Sequence, residues 1–158
     1  MLNSTPIQVP MIKVVDTPVT EPDAKSILRA HGIKQTSQRL EIIKVLHEND
    51  GHFTAESVYH RLKASGAHVS KATVYNTLSL FLDHRVIRQV IVHQGKAFYC
   101  AKTTPHHHFF DSNTEELTDI ELSSMDITGL PELPPGTELD GLDLVVRIKS
   151  TVAPESIQ

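Results

Sequence analysis

Apolar positions along the chain change period once. From residue 23 to 82 they recur at three- and four-residue spacing, which predicts helices; from Val86 onward they form β-branched runs, which predict strands. Asp23 is positioned to cap a first helix through Ala30, with Ile27 and Leu28 inward and Gly32 as its stop. Thr36 caps a second helix, in which Leu40, Ile43 and Leu46 or His47 share a face and Asn49-Asp50-Gly51 makes the exit turn. Thr54 caps a third, with Ala55, Val58 and Leu62 on one side and Ser65-Gly66-Ala67 as the break. Ser70 caps a fourth, where Val74, Leu78, Phe81 and Leu82 form the apolar stripe. Val86–His93, a turn at Gln94-Gly95-Lys96, and Ala97–Cys100 then read as a hairpin. Three further strands are expected at His107–Asp111, Leu117–Leu122 and Leu142–Ile148. The segment Gly129–Gly136 is too proline-rich for a long helix.

This order predicts an α+β protein: an N-terminal winged helix-turn-helix followed by a small α/β domain. The expected divisions are a flexible arm at 1–20, with a short extended piece at Met11–Val15, a winged-helix domain at 21–103, a C-terminal domain at 104–150 and a tail at 151–158.

Charge sharpens the division. Residues 22–103 hold 12 Lys/Arg against 6 Asp/Glu, whereas residues 104–158 hold 2 against 11. A basic half suits a polyanion and an acidic half repels one, so the two halves are expected to have different partners. No run of about 18 uncharged apolar residues predicts a membrane span. The first residues lack a secretory signal pattern, and a cytoplasmic location is the expectation. One cysteine excludes an internal disulfide and a two-cysteine zinc clamp.

Two groups of residues carry candidate chemistry. On the fourth helix Asn76 points away from the apolar stripe, with Thr73 and Tyr75 on its flanks. Asn can bond adenine in a bidentate way, and Tyr or Thr can meet a thymine methyl or a phosphate. Ser70 and Lys71, beside the helix N-terminus, suit a phosphate oxygen. Lys34 and Arg39, at the start of the second helix, suit phosphate or the minor groove. A winged domain that binds protein is the competing reading of that solvated face. The second group is His106-His107-His108, entering a strand that sends His106 and His108 to one side and His107 to the other. Paired imidazoles can hold a transition metal or a haem iron, or can simply form a surface edge. His52 alone reads as a surface histidine, and Cys100 reads as a buried inert thiol. A His-metal enzyme is the weakest reading, because no HExxH or nucleophile motif is present.

The segments GIKQTSQRLEIIKVL at 32–46, HFTAESVYHRL at 52–62, SKATVYNTLSLF at 70–81 and the three histidines resemble the ferric uptake regulator family. The resemblance covers about residues 22–150 and implies a dimeric winged-helix repressor, DNA-binding at its N-terminal end and dimerising through its C-terminal end. Its partner would be a double-stranded, AT-rich, pseudo-palindromic operator. The dimer seam is expected at the C-terminal sheet, with Leu142, Leu144, Val146 and Ile148. The family's structural zinc needs CxxC pairs; here the first pair falls at Asp111 and Thr114, so no structural CxxC zinc is expected. Its regulatory site uses a histidine before the third helix, a glutamate in the wing and two of the clustered histidines. His52, His106 and His108 match three of these, while the glutamate position falls near Tyr99–Cys100. The HHHFF run and the GLPxxPxGxE…VVRI ending are similar to the iron response regulator branch. That branch implies control of iron and haem genes, with haem binding at His106, His107 and His108 lowering DNA affinity. The alternative is a repressor activated by Fe, Mn or Zn through His52, His106 and His108.

Overall fold

The computed structural model describes residues 21–48, 51–93, 95–121 and 126–151. The expected arm at 1–20, Asn49-Asp50 of the exit turn, Gln94 of the hairpin turn, Leu122 and the tail from Val152 lie outside the described residues. The fold is α+β. Among the described residues four helices come first: α1 (Glu21–Ala30), α2 (Ser37–Leu46), α3 (Ala55–Ala64) and α4 (Lys71–Asp83). The strands described after them are β1 (Arg88–His93), β2 (Lys96–Cys100), β3 (His107–Asp111), β4 (Leu117–Ile120) and β5 (Val145–Ile148). Among the described residues after Asp83 every regular element is a strand, so the helices are segregated to the N-terminal half.

Local chemistry sets the helix ends. Thr36 and Thr54 accept hydrogen bonds from the backbone N–H groups of Arg39 and Ser57, and Ser70 accepts from that of Thr73. Each bond satisfies one of the donors a helix start leaves unpaired. Asp23 does not play this part: α1 begins at Glu21, which puts Asp23 inside the first turn. The first strand also begins later than its β-branched run suggests. Arg85 adopts a left-handed φ of 55°, Arg85 N–H donates to the Leu82 carbonyl, and Val86 N–H donates to that of Phe81. Those bonds close the C-terminus of α4, so Val86 and Ile87 are buried against the helices before the strand starts. Similarly, the last strand is shorter than expected, and Leu142 lies exposed ahead of it.

The helices enclose the main core, built from Leu28, Ile43, Leu46, Val58, Leu62, Val74, Leu78 and Phe81, all almost wholly buried. The β1–β2 hairpin pairs antiparallel with an irregularity between Ile91 and His93. A separate bridge joins Phe53 to Tyr99: Phe53 N–H donates to the Tyr99 carbonyl and Tyr99 N–H donates back. It ties the loop before α3 to β2. The second sheet has the order β4-β3-β5, with β3 antiparallel to β4 and parallel to β5. A smaller core of Val90, Val92, Phe98, Phe110 and Leu117, with Val145 against it, packs the hairpin onto that sheet. The wing thus contributes to both halves. No helix among the described residues is long and apolar enough to cross a membrane.

Candidate functional site

Four side chains from three parts of the chain meet where the hairpin joins the second sheet. His52 lies between the α2 exit and α3, carried there by the Phe53–Tyr99 bridge. His106 precedes β3, and His108 lies within it. Asp119 is on β4, directly opposite His108 in the antiparallel register. Strand alternation separates His107, whose Nδ1 accepts a hydrogen bond from Leu144 N–H, from its two neighbours.

One donor atom from each of His52, His106, His108 and Asp119 lies within 4.8 Å of all the others. Asp119 Oδ1 is 3.0 Å from His52 Nε2 and 3.5 Å from Nε2 of both His106 and His108. Bonds of about 2.0–2.1 Å at a tetrahedral angle put ligand atoms roughly 3.4 Å apart, so the set has the dimensions of a metal cage. His52 Nε2, His108 Nε2 and Asp119 Oδ1 are buried and make no well-aligned hydrogen bond, although His52 and Asp119 are close enough for an ion pair. Leaving buried polar atoms unpaired costs on the order of 1–3 kcal/mol each. A divalent ion would satisfy all three at once.

The surroundings prepare these ligands. The Thr104 carbonyl can only accept, so His106 Nδ1 donates to it at 2.6 Å and Nε2 keeps its lone pair toward the cluster. Lys102 donates to Asp119 Oδ2 at 3.0 Å, which leaves Oδ1 facing the histidines. Burial opposes charge on His52, but the Asp119 carboxylate and the Cys100 thiol outweigh it and bring its pKa up to about 9. Burial also pushes the Asp119 carboxyl up, yet His52 and Lys102 prevail and hold it well below the usual carboxylate range. Cys100 belongs to the same neighbourhood. Burial raises its thiol, but the surrounding imidazoles of His106, His108 and His52 outweigh it and bring it down to about 4.

One expectation from the residues alone is therefore corrected. His52 is not a surface histidine: its side chain is 5% exposed. Cys100 is buried, as its strand pattern predicts, and its Sγ lies 3.7 Å from His106 Nε2. Asp119 escaped sequence reasoning because the signal that finds it is its register opposite His108, which one strand's pattern does not give.

The other candidate residues lie outside this cluster, in the helical half. Tyr75 is half-exposed and Asn76 is exposed on α4. Thr73 is half-buried, and its hydroxyl shares a hydrogen bond with that of Ser70. Ser70 also caps α4, so its hydroxyl is already engaged. Lys71 Nζ donates to Glu56 Oε1 at 2.7 Å and sits over the Tyr59 ring. Lys34 is exposed, and the Arg39 guanidinium donates to its carbonyl.

A three-stranded sheet behind a winged helical half, with a largely buried cluster of three histidines and a partly exposed carboxylate between them, defines a class of metal-site winged-helix proteins. The pattern of the ferric uptake regulator family matches residues 30–130. The chain belongs to the ferric uptake regulator family. It is 33% identical over 100 residues to the ferric uptake regulation protein of Campylobacter jejuni, an alignment covering 61% of this chain and 64% of that protein. The chain thus matches somewhat less than two thirds of that relative's length. Its fold is similar to the Vibrio cholerae ferric uptake regulator, with TM-score 0.66 and 23% identity over 81% of this chain and 100% of that one. It is also similar to the Pseudomonas aeruginosa ferric uptake regulator solved with manganese, with TM-score 0.62 and 25% identity over 82% and 98% of the two chains.

Proposed function

We propose that this chain is a metal-responsive, DNA-binding transcriptional repressor that acts as a homodimer, with residues 21–103 on the DNA and residues 104–150 toward the second copy. The observation that carries the reading is the set of three buried ligand atoms that lack a hydrogen bond where the two halves meet. His52, His106, His108 and Asp119 would hold one divalent ion, such as Fe²⁺, Mn²⁺ or Zn²⁺. Bound there, the ion supplies a positive centre shared by four ligands from both halves. His52 then fixes the loop that leads into α3, and His108 and Asp119 fix the sheet. The relative angle of the two halves sets the separation of two recognition helices in a dimer, and a dimer reads two half-sites at fixed spacing. Such coupling works through the different affinity of the ion for the two arrangements.

On the DNA side, Tyr75 and Asn76 are the residues for base edges, and Thr73 supports them from the flank. Lys34, Arg39 and Lys71 serve phosphates, with Lys71 exchanging Glu56 for a phosphate oxygen and Ser70 holding the helix start. Each of Asn76→Ala and Tyr75→Ala should weaken binding to an AT-rich, pseudo-palindromic operator by about 1–3 kcal/mol. Unchanged affinity in both would remove the recognition-helix assignment.

The haem-controlled reading of the iron response regulator branch uses the same histidines. Their placement favours a compact ion: His106, His107 and His108 are 1–4% exposed, and His107 faces away from the other two. A haem plane has to approach an imidazole nitrogen through open space. The test is to titrate apoprotein separately with Mn²⁺, Zn²⁺ and haemin. One divalent ion per chain, lost in the His106→Ala/His108→Ala double variant, supports the metal reading. A haemin complex lost on replacing all three histidines, with no divalent uptake, would replace it by the haem reading.

A further inference from the structure

The two carboxylate oxygens of Asp119 face different partners. Oδ1 is buried without a hydrogen bond and lies 3.0 Å from His52 Nε2 and 3.5 Å from Nε2 of His106 and of His108. Oδ2 accepts from Lys102 Nζ at 3.0 Å. Lys102 lies on the connection between β2 and β3, the same connection whose Thr104 carbonyl turns His106 Nε2 toward the cluster. One short link therefore orients two of the four ligands. The Lys102 side chain is 24% exposed, and its ammonium is also 3.5 Å from Glu121 Oε1. By charge alone, a cation this close to a divalent-ion site works against binding. Its effect on the carboxylate accounts for its place: it engages the oxygen that would otherwise make Asp119 a two-oxygen ligand.

We propose that Lys102 is a positioning residue that restricts Asp119 to one oxygen, keeps the site four-coordinate and so turns its choice toward Zn²⁺ and Co²⁺ rather than Mn²⁺. The inference rests on the metal-responsive reading above. Three imidazole nitrogens and one carboxylate oxygen make a tetrahedral set, which suits Zn²⁺. Mn²⁺ prefers an octahedral set richer in oxygen. The second oxygen of Asp119 would move the site in that direction, and the Lys102 bond withholds it. A lysine that served only as surface charge would leave the choice among ions unchanged, because losing its charge strengthens every divalent ion alike.

Cobalt reports the difference, because its visible d–d bands are strong when the ion is four-coordinate and weaken as ligands are added. The full chain, metal-free, is titrated with Co²⁺ alone and then with Zn²⁺ and Mn²⁺ in competition, beside Lys102→Met and Lys102→Arg. We expect strong bands that saturate at one equivalent in the wild type. Lys102→Met should still take up Co²⁺, with weaker bands, and its ratio of Zn²⁺ to Mn²⁺ affinity should fall about tenfold. Lys102→Arg keeps a donor for Oδ2 and should retain the wild-type spectrum and ratio. Circular dichroism of both variants checks the fold, and the strength of the wild-type bands tests the four-coordinate state without them. Weak bands in the wild type, wild-type bands and ratio in Lys102→Met, or a Lys102→Arg that behaves as Lys102→Met overturn the role of Lys102 and leave the metal-responsive reading standing. No uptake of any of the three ions by the folded wild type overturns both.

Discussion

A Cβ added at Gly51 would lie 2.5 Å from the Phe53 ring and 3.1 Å from the Glu48 carbonyl. The ring is buried, with the Arg61 guanidinium 4.9 Å from its centre, so it has little room to yield. Gly51→Ala should therefore destabilise the fold by about 1–3 kcal/mol, the usual cost of overpacking. It should also weaken metal binding, since Phe53 anchors His52; denaturant unfolding and calorimetry check the two effects, and an unchanged Kd would show that the anchor is dispensable. His106 and His108 were legible from strand alternation alone. His52 was legible only through a resemblance spanning 52–62, because nothing local says which strand it will face. Asp119 was not legible: it joins the site through pairing with a neighbouring strand, and one strand's pattern carries no register with its partner.

At the scale of elements, caps and end bonds account for most of what the sequence predicts. Thr54 caps α3 only two residues after His52, so its loss frays the helix that the His52 loop leads into. Thr54→Ala should cost about 1 kcal/mol, read as a lower denaturation midpoint with an unchanged slope. The helices were legible because their caps and stripes are local signals. The start of β1 was not, because a left-handed arginine is an unusual way to close a helix and leaves no mark on the β-branched run. The sheet has its own fastener. Asp111, at the end of β3, accepts hydrogen bonds from the Ser150 hydroxyl and from the Asn113 N–H. The Ser150 bond leads the effects that hold the Asp111 carboxyl below its ordinary value. A depressed carboxylate stabilises the fold above its unfolded pKa, and that contribution is lost as pH falls through the folded value. Asp111→Asn should therefore lower Tm at pH 7, and the gap from wild type should close below about pH 4, near the ordinary carboxyl value. A gap that is the same at pH 7 and pH 3 would contradict the clamp.

Across the whole molecule, the charge division and the two cores describe one arrangement. The basic helical half has its own core, the acidic sheet half has little apolar cover, and the hairpin packs against both. The candidate metal cluster lies at that junction, far in sequence from the exposed face of α4. The sequence announced the division through charge and the change of period, but not that the hairpin would serve both halves. That follows from Val90, Val92 and Phe98 facing the sheet while Tyr99 faces the helices.

The most direct measurement is the affinity for an operator duplex, by fluorescence anisotropy at fixed salt, with and without saturating divalent ion. The duplex is selected from a random pool in parallel with metal and with chelator, so that neither state is favoured beforehand. The account predicts that the metal-loaded protein binds at least tenfold tighter than apoprotein, about 1.4 kcal/mol of coupling. It also predicts that the His106→Ala/His108→Ala variant stays at the apo value with metal present. Apoprotein that binds as tightly as the loaded form, or that releases DNA on adding haemin while ignoring divalent ions, would contradict it.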